Sequence, residues 1–178
     1  MGVKGSATSV INYDGATGFL LGPENGGLLS MFTMMNYERL SVGLQGLGAI
    51  DVAYQLSAAY AKERVQGRSP SGPKNPDNVA DSLLVHPDVR RMLLTQRAYA
   101  EACRAFGVYV GNQLDRATHL KDHKSKRISE LLTPVVKAFF TDKGFECAVM
   151  GQQVLGGHGY IKDWGLEQIV RDARIGQI

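Results

Sequence analysis

The sequence predicts an all-α protein: an up-down, four-helix-bundle-like fold of three long helices and a short fourth, preceded by a short N-terminal β-hairpin. Three observations carry this. Apolar residues recur at alternating spacings of three and four over long stretches. The segments that separate those stretches are dense in Pro, Gly, Ser or charge. Only residues 1–30 alternate polar and apolar character with period two, which is the strand signature. With 44% hydrophobic and 21% charged residues in 178, the chain can bury one ordinary core.

Taken in order, Thr8, Val10 and Asn12 alternate, Asp14-Gly15 offers a tight turn, and Gly18-Phe-Leu-Leu-Gly22 reads as the returning strand. An isolated hairpin is marginal in water, so residues 1–30 read as the end of a larger β-domain and 31–178 as the helical domain. The helical pattern itself runs from about Gly27 to Arg64, with Phe32, Met35, Arg39, Val42, Gly46, Ala49, Ala53, Leu56 and Tyr60 on one face. Gly43, Gly46 and Gly48 weaken that helix by roughly 1 kcal/mol each relative to Ala. They are tolerable where a backbone or ligand must come close. Residues 67–85 form a long loop.

A second helix starts at His86-Pro87, with Pro at the first helical position, where its missing N–H leaves no bond unmade. Val89, Met92, Gln96, Tyr99, Cys103, Phe106 and Val110 mark its inner side as far as Ala117. Residues 119–127 read as a charged turn. A third helix covers Ile128 to Val154, and Thr133-Pro134 is either a kink or the true cap and first residue. It ends at Gly156-Gly157, and a short amphipathic helix fits Leu166 to Ile175. Short connections between long helices argue for antiparallel neighbours.

A formal charge of +3, with the basic residues scattered, argues against a nucleic-acid partner. No apolar run approaches the roughly 20 residues that span a bilayer. The start has no apolar core that would make it a signal peptide, so the expected location is cytoplasmic. Cys103 and Cys147 lie in helical stretches and read as two buried thiols. His119 and His123 stand one helical turn apart without a third ligand nearby, so no metal is expected.

Four features could carry chemistry. Arg39 sits on an apolar stripe, where an unpaired charge needs a carboxylate or a ligand. Its neighbour Glu38 has Met34, Met35 and Val42 at helical spacing, and desolvation by them would suit a base that picks up a proton near neutrality. A buried ion pair explains the same two residues. Gln153-Val-Leu-Gly-Gly-His-Gly-Tyr160 places glycines just after a helix, where a backbone can approach phosphate oxygens or simply cap the helix. Arg64 ends the first helix, where a guanidinium pairs with phosphate or complements the dipole.

The order of these elements resembles the acyl-CoA dehydrogenase family. The run Met34-Met-Asn-Tyr-Glu-Arg-Leu-Ser-Val-Gly43, then Arg64, then Gln153-x-x-Gly-Gly-x-Gly-Tyr160, then Arg171-Asp-Ala-Arg-Ile175 covers essentially the whole chain. Within the family it is most similar to bacterial enzymes of the methylmercaptopropionyl-CoA and long-chain type. The resemblance implies an FAD-dependent oxidoreductase that dehydrogenates the Cα–Cβ bond of an acyl-CoA thioester, works as a dimer or tetramer, and is reoxidised by electron-transfer flavoprotein. It implies that Arg64, Gln153, Gly156 and Gly157 contact FAD, Arg64 across a subunit boundary. By the same resemblance Asn36 and Arg39 line the acyl-CoA channel, with Asn36 standing where an Asp is common.

Glu38 matches the position of the base in isovaleryl-CoA and some long-chain enzymes. The more usual base, in a Tyr-Glu-Gly-Thr motif, would follow Ala173-Arg-Ile-Gly-Gln-Ile178 and lies beyond the last residue. The chain is therefore expected to be a fragment, inactive alone. The alternatives are a fragment of an acyl-CoA oxidase, which passes electrons to oxygen, and a non-catalytic helical interaction module.

Overall fold

A computed structural model describes residues 1–178 and holds five helices and no strand. The long ones are α1 (Gly27–Glu63), α2 (Pro87–His119) and α3 (His123–Leu155); α4 (Gly157–Tyr160) is a single turn, and α5 is Leu166–Gly176. Two 3₁₀ turns, Leu83–Val85 and Lys162–Trp164, lead into α2 and α5. No helix is long and apolar enough to cross a membrane.

The expected N-terminal hairpin is not formed. Its turn is present: Ala16 N–H donates to the Tyr13 carbonyl at 3.2 Å, and Gly15 takes a φ of +65°. The flanking segments do not pair, and Val10, Phe19 and Leu21 are exposed. A two-stranded ribbon without a third strand or an apolar surface beneath it does not offset the entropy of ordering it.

The third helix also departs from expectation, beginning at His123 rather than Ile128. Asp122 caps it, accepting from Lys124 N–H at 2.9 Å and from the Ser125 hydroxyl at 2.9 Å. The Ser125 hydroxyl and N–H, together with Arg116, hold the Asp122 carboxyl at about 2. What read as a charged turn is thus largely the first turn of a helix. Pro134 neither starts nor ends α3 but lies inside it. Just before it, the Thr133 hydroxyl donates to the Ser129 carbonyl at 2.6 Å.

The helices run up, down and up. Gly43 of α1 meets Val136 of α3 and Ser57 meets Gly151, so these two are parallel; Leu44 lies beside Gly107 of α2, and Ala61 shares a cluster with Met92, so α2 is antiparallel to α1. α5 packs across α1 and α3. The crossing of α1 and α3 is set by glycine. A Cβ on Gly46 would collide with the Phe140 carbonyl, and one on Gly144 would stand 2.8 Å from the Gly46 carbonyl oxygen. Of the three glycines singled out in α1, Gly43 and Gly46 face α3 and only Gly48 looks into open space.

Two apolar clusters fill the bundle. One joins Ile50, Cys103, Val110, Val136, Phe140 and Cys147 at mid-length; the other joins Ala61, Leu83, Met92, Leu93, Leu155 and Leu166 where α1 ends. Burying a side chain such as Phe140 stabilises the fold by roughly 2–3 kcal/mol. Both cysteines are free thiols inside the first cluster, and burial pushes Cys103 up to about 11 and Cys147 to about 12. The buried face of α1 is Gly43, Gly46, Ile50, Ala53, Ser57 and Ala61, rotated from the expected stripe. Phe32 and Leu56 are exposed, and nothing before Gly43 in α1 is fully buried.

Candidate functional site

The residues singled out from the sequence collect at opposite ends of the bundle. At one end, α1 stops at Arg64, whose N–H donates to Tyr60 O at 2.8 Å and whose carbonyl accepts from Leu83 N–H at 3.0 Å. A cleft of about 370 Å³ runs beside it, with Gln66, Gly67 and His86 on one wall and Gln153 and Gly156 on the other. A second, of about 470 Å³, adjoins it through Tyr60 and Leu155 and takes in Arg64, His158 and Trp164. The Tyr60 hydroxyl lies 2.8 Å from His158 Nδ1, and Trp164 meets the Tyr60 ring edge-on at 5.3 Å.

This end has spare hydrogen-bond donors. Arg64 and Gln153 are exposed, and neither side chain is engaged in an ion pair or hydrogen bond within the chain. Gly156 turns the backbone at φ +59°, and no atom lies within 4 Å of where a Cβ on Gly156 or Gly157 would stand. The Gly156 N–H already donates to the Gln153 carbonyl at 3.2 Å, so the guanidinium and the carboxamide are the donor set that suits phosphate oxygens, and the glycines allow close approach.

The other end holds a larger cleft, of about 530 Å³, between the first turns of α1 and the α2–α3 connection. Asn36, Tyr37 and Arg39 line it from α1, facing Lys121, His123 and Lys126. Arg39 is half-buried and takes part in none of the chain's ion pairs. Of the two acids in the wall, Asp122 is already engaged by Arg116 at 3.1 Å and Glu130 lies 3.9 Å from Lys126. The free charge facing the cleft is positive.

Residues 25–178 match the family described as acyl-CoA dehydrogenase, C-terminal domain. The chain belongs to that family. It is 43% identical to the 3-methylmercaptopropionyl-CoA dehydrogenase of Ruegeria pomeroyi over 98% of its own length and 30% of that protein's. It is 34% identical to the broad-specificity linear acyl-CoA dehydrogenase FadE5 of Mycobacterium tuberculosis, again over 98% and 30%. Among solved structures, the acyl-CoA dehydrogenase of Geobacillus kaustophilus superposes with a TM-score of 0.72 at 19% identity, covering 89% of this chain and 36% of that one. The chain thus spans about 30% of the length of these curated relatives.

Within this helical domain Arg64, Gln153, Gly156 and Gly157 share one end, and Asn36 and Arg39 share the other. Glu38 joins neither. It is exposed, does not line the large cleft and forms no ion pair with Arg39, so the shielding expected from Met34, Met35 and Val42 is not provided by α1 itself. Two groups were missed from the sequence. The Tyr60–His158–Trp164 cluster draws on three separate segments, which periodicity does not connect. Asp81 lies in a loop that reads as merely polar, yet its side chain is fully buried.

Proposed function

We propose that this chain is the cofactor- and substrate-facing helical part of an FAD-dependent acyl-CoA dehydrogenase that oxidises the Cα–Cβ bond of an acyl-CoA thioester. The observation that carries the reading is the family match over residues 25–178, taken with the free donors of Arg64 and Gln153 at one end and the unpaired Arg39 at the other. FAD, when bound, supplies the hydride acceptor. Arg64 neutralises its phosphates, the Gln153 amide donates to them, and Gly156 and Gly157 let them approach the backbone. Asn36 and Arg39 orient the acyl-CoA, and Glu38 is the candidate for removing its α-proton. An exposed Glu38 becomes a shielded base only when another surface covers the first turns of α1.

The separation of the two ends favours an oligomer. Arg39 and the C-cap Arg64 are 25 residues apart along α1, roughly 38 Å at 1.5 Å per residue. In the proposed oligomer the Arg64 end serves a neighbouring copy's flavin while the Arg39 end serves another site. Electron-transfer flavoprotein is the proposed oxidant of the reduced flavin.

The test compares two variants of the polypeptide in which this chain is naturally found. Arg64→Ala is expected to weaken FAD retention by roughly tenfold or more, with the acyl-CoA KM unchanged once FAD is saturating. Arg39→Ala is expected to retain FAD and lose kcat/KM for acyl-CoA. Loss of both functions in both variants would point to general destabilisation and against two separate sites.

A further inference from the structure

We propose that Asp81 is a positioning residue for the cofactor end: its carboxylate organises the loop whose neck holds Arg64 and the Gln66–Gly67 wall against Gln153 and Gly156. The inference rests on the reading that this end takes the phosphates of FAD.

The loop between α1 and α2 is closed twice. At its neck, Gln66 N–H donates to the Asp81 carbonyl and Asp81 N–H to the Gly67 carbonyl, both at 2.9 Å, while the Ser82 hydroxyl donates to the Ala61 carbonyl at 2.7 Å. Gly67 sits at φ +69°, a conformation that a side chain would strain. Inside, the Asp81 carboxylate accepts from the N–H groups of Ser69 at 3.0 Å, Lys74 at 3.0 Å and Asn75 at 2.8 Å, with Arg68 Nη1 at 3.5 Å. The side chain is fully buried, and Ser69 is buried too, so the Ser69 N–H has no water to turn to if the carboxylate is removed. The Ser69 N–H foremost, with those of Asn75 and Lys74 and the Arg68 charge, holds the carboxyl at about 2 against the opposing effect of burial.

One residue thus supplies both the backbone of the neck and the anchor of the loop's interior. Its backbone is bonded to Gln66 and Gly67, which form a wall of the cleft opposite Gln153 and Gly156. The next bond along fixes the Arg64 carbonyl through Leu83. With its interior anchor lost, the loop would hold its neck less firmly, and the bonds that fix the Arg64 carbonyl and the Gln66–Gly67 wall would open more readily.

The test measures the FAD dissociation constant by flavin fluorescence in the polypeptide in which this chain is naturally found. Asp81→Asn keeps the size but turns an NH₂ toward N–H donors. It is expected to weaken FAD roughly tenfold, with kcat at saturating FAD within about twofold of the unaltered protein. Because Asp81 acts through Arg64, the Arg64→Ala/Asp81→Asn double variant should bind FAD no more weakly than Arg64→Ala alone. Arg68→Gln, at a side chain 36% exposed, is the milder companion; it should weaken FAD about threefold with the same non-additivity, and it decides the matter if Asp81→Asn does not fold. Unchanged FAD affinity in Asp81→Asn, with Arg64→Ala weakened, overturns the proposal and leaves the cofactor reading standing. Additive losses also overturn it, since they mean a general loss of stability. No effect from either single variant removes the cofactor reading itself, and the proposal with it.

Discussion

The two ends of the bundle are built differently. Where α1 finishes, the chain closes its own site: a loop anchored on Asp81, a Tyr60–His158–Trp164 cluster, and an apolar layer of Leu83, Met92, Leu93 and Leu155 beneath them. Where α1 begins, Leu28, Leu29, Met31, Phe32 and Met34 are exposed, and none of them lines the cleft beside Arg39. The same helix is therefore a core element from Gly43 onward and carries exposed apolar side chains over its first turns. The first end is organised by its own residues; the second leaves apolar side chains in solvent, as a surface that meets another one would.

The largest expected difference is in stability. Leu155→Ala at the closed end should lose about 3 kcal/mol, the usual consequence of emptying a buried leucine site. Leu28→Ala at the open end should change stability by no more than about 0.5 kcal/mol. Urea unfolding followed by circular dichroism measures both, and equal losses would erase the contrast. Next in size is the glycine pair at the junction between the halves. Gly46→Ala forces α1 off α3 and should cost about 2 kcal/mol. Gly48→Ala, two residues on and facing open space, should gain up to about 1 kcal/mol from helix propensity. A stabilised Gly46→Ala would mean that α1 and α3 do not cross there.

Acid should also test the loop anchor at the closed end. Asp81 titrates at about 2 in the folded chain against 3.8 for an unperturbed carboxyl. Its folded pKa is depressed, so its stabilising effect is full above about pH 4 and is lost as pH falls through about 2. The thermal unfolding midpoint is expected to fall across that window. Asp81→Asn should reduce that fall, and an equal fall in the variant would show that the carboxylate is not what anchors the loop. The smallest effect concerns the thiols. With Cys103 and Cys147 shifted upward by burial, alkylation at pH 8 should be slow in the folded chain and fast in urea. Rapid native alkylation would place one of them outside the core.

Much of the helical layout was legible because it rests on local signals. Pro87 at a first helical position, Gly156 after the last buried turn of α3, and alternating three- and four-residue spacings mark element ends without tertiary help. The errors arose where a local signal lacks its partner. The N-terminal alternation has a turn but no third strand to pair with. The stripe through Phe32, Arg39 and Leu56 reads as a core face, but apolar spacing does not say which surface lies opposite, and the buried face is the neighbouring one through Gly43, Ile50 and Ser57. The start of α3 was hidden by charge, although Asp122 followed by Ser125 was a readable cap. Asp81 could not be found by pattern, since the three N–H groups that bury its charge belong to a loop without periodicity.

The most direct test of the functional account is an anaerobic flavin titration run on two samples: the 178-residue chain alone, and the polypeptide in which it is naturally found. On the proposed reading Arg64, Gln153 and the glycines address only the phosphate end of FAD, and without a buried ring the cofactor lacks much of its apolar contact. The chain alone is therefore expected to hold FAD weakly and to show no bleaching with any acyl-CoA. The natural polypeptide is expected to bind FAD tightly and to bleach on addition of an acyl-CoA. Bleaching by the chain alone, or no bleaching in either sample, would contradict the account.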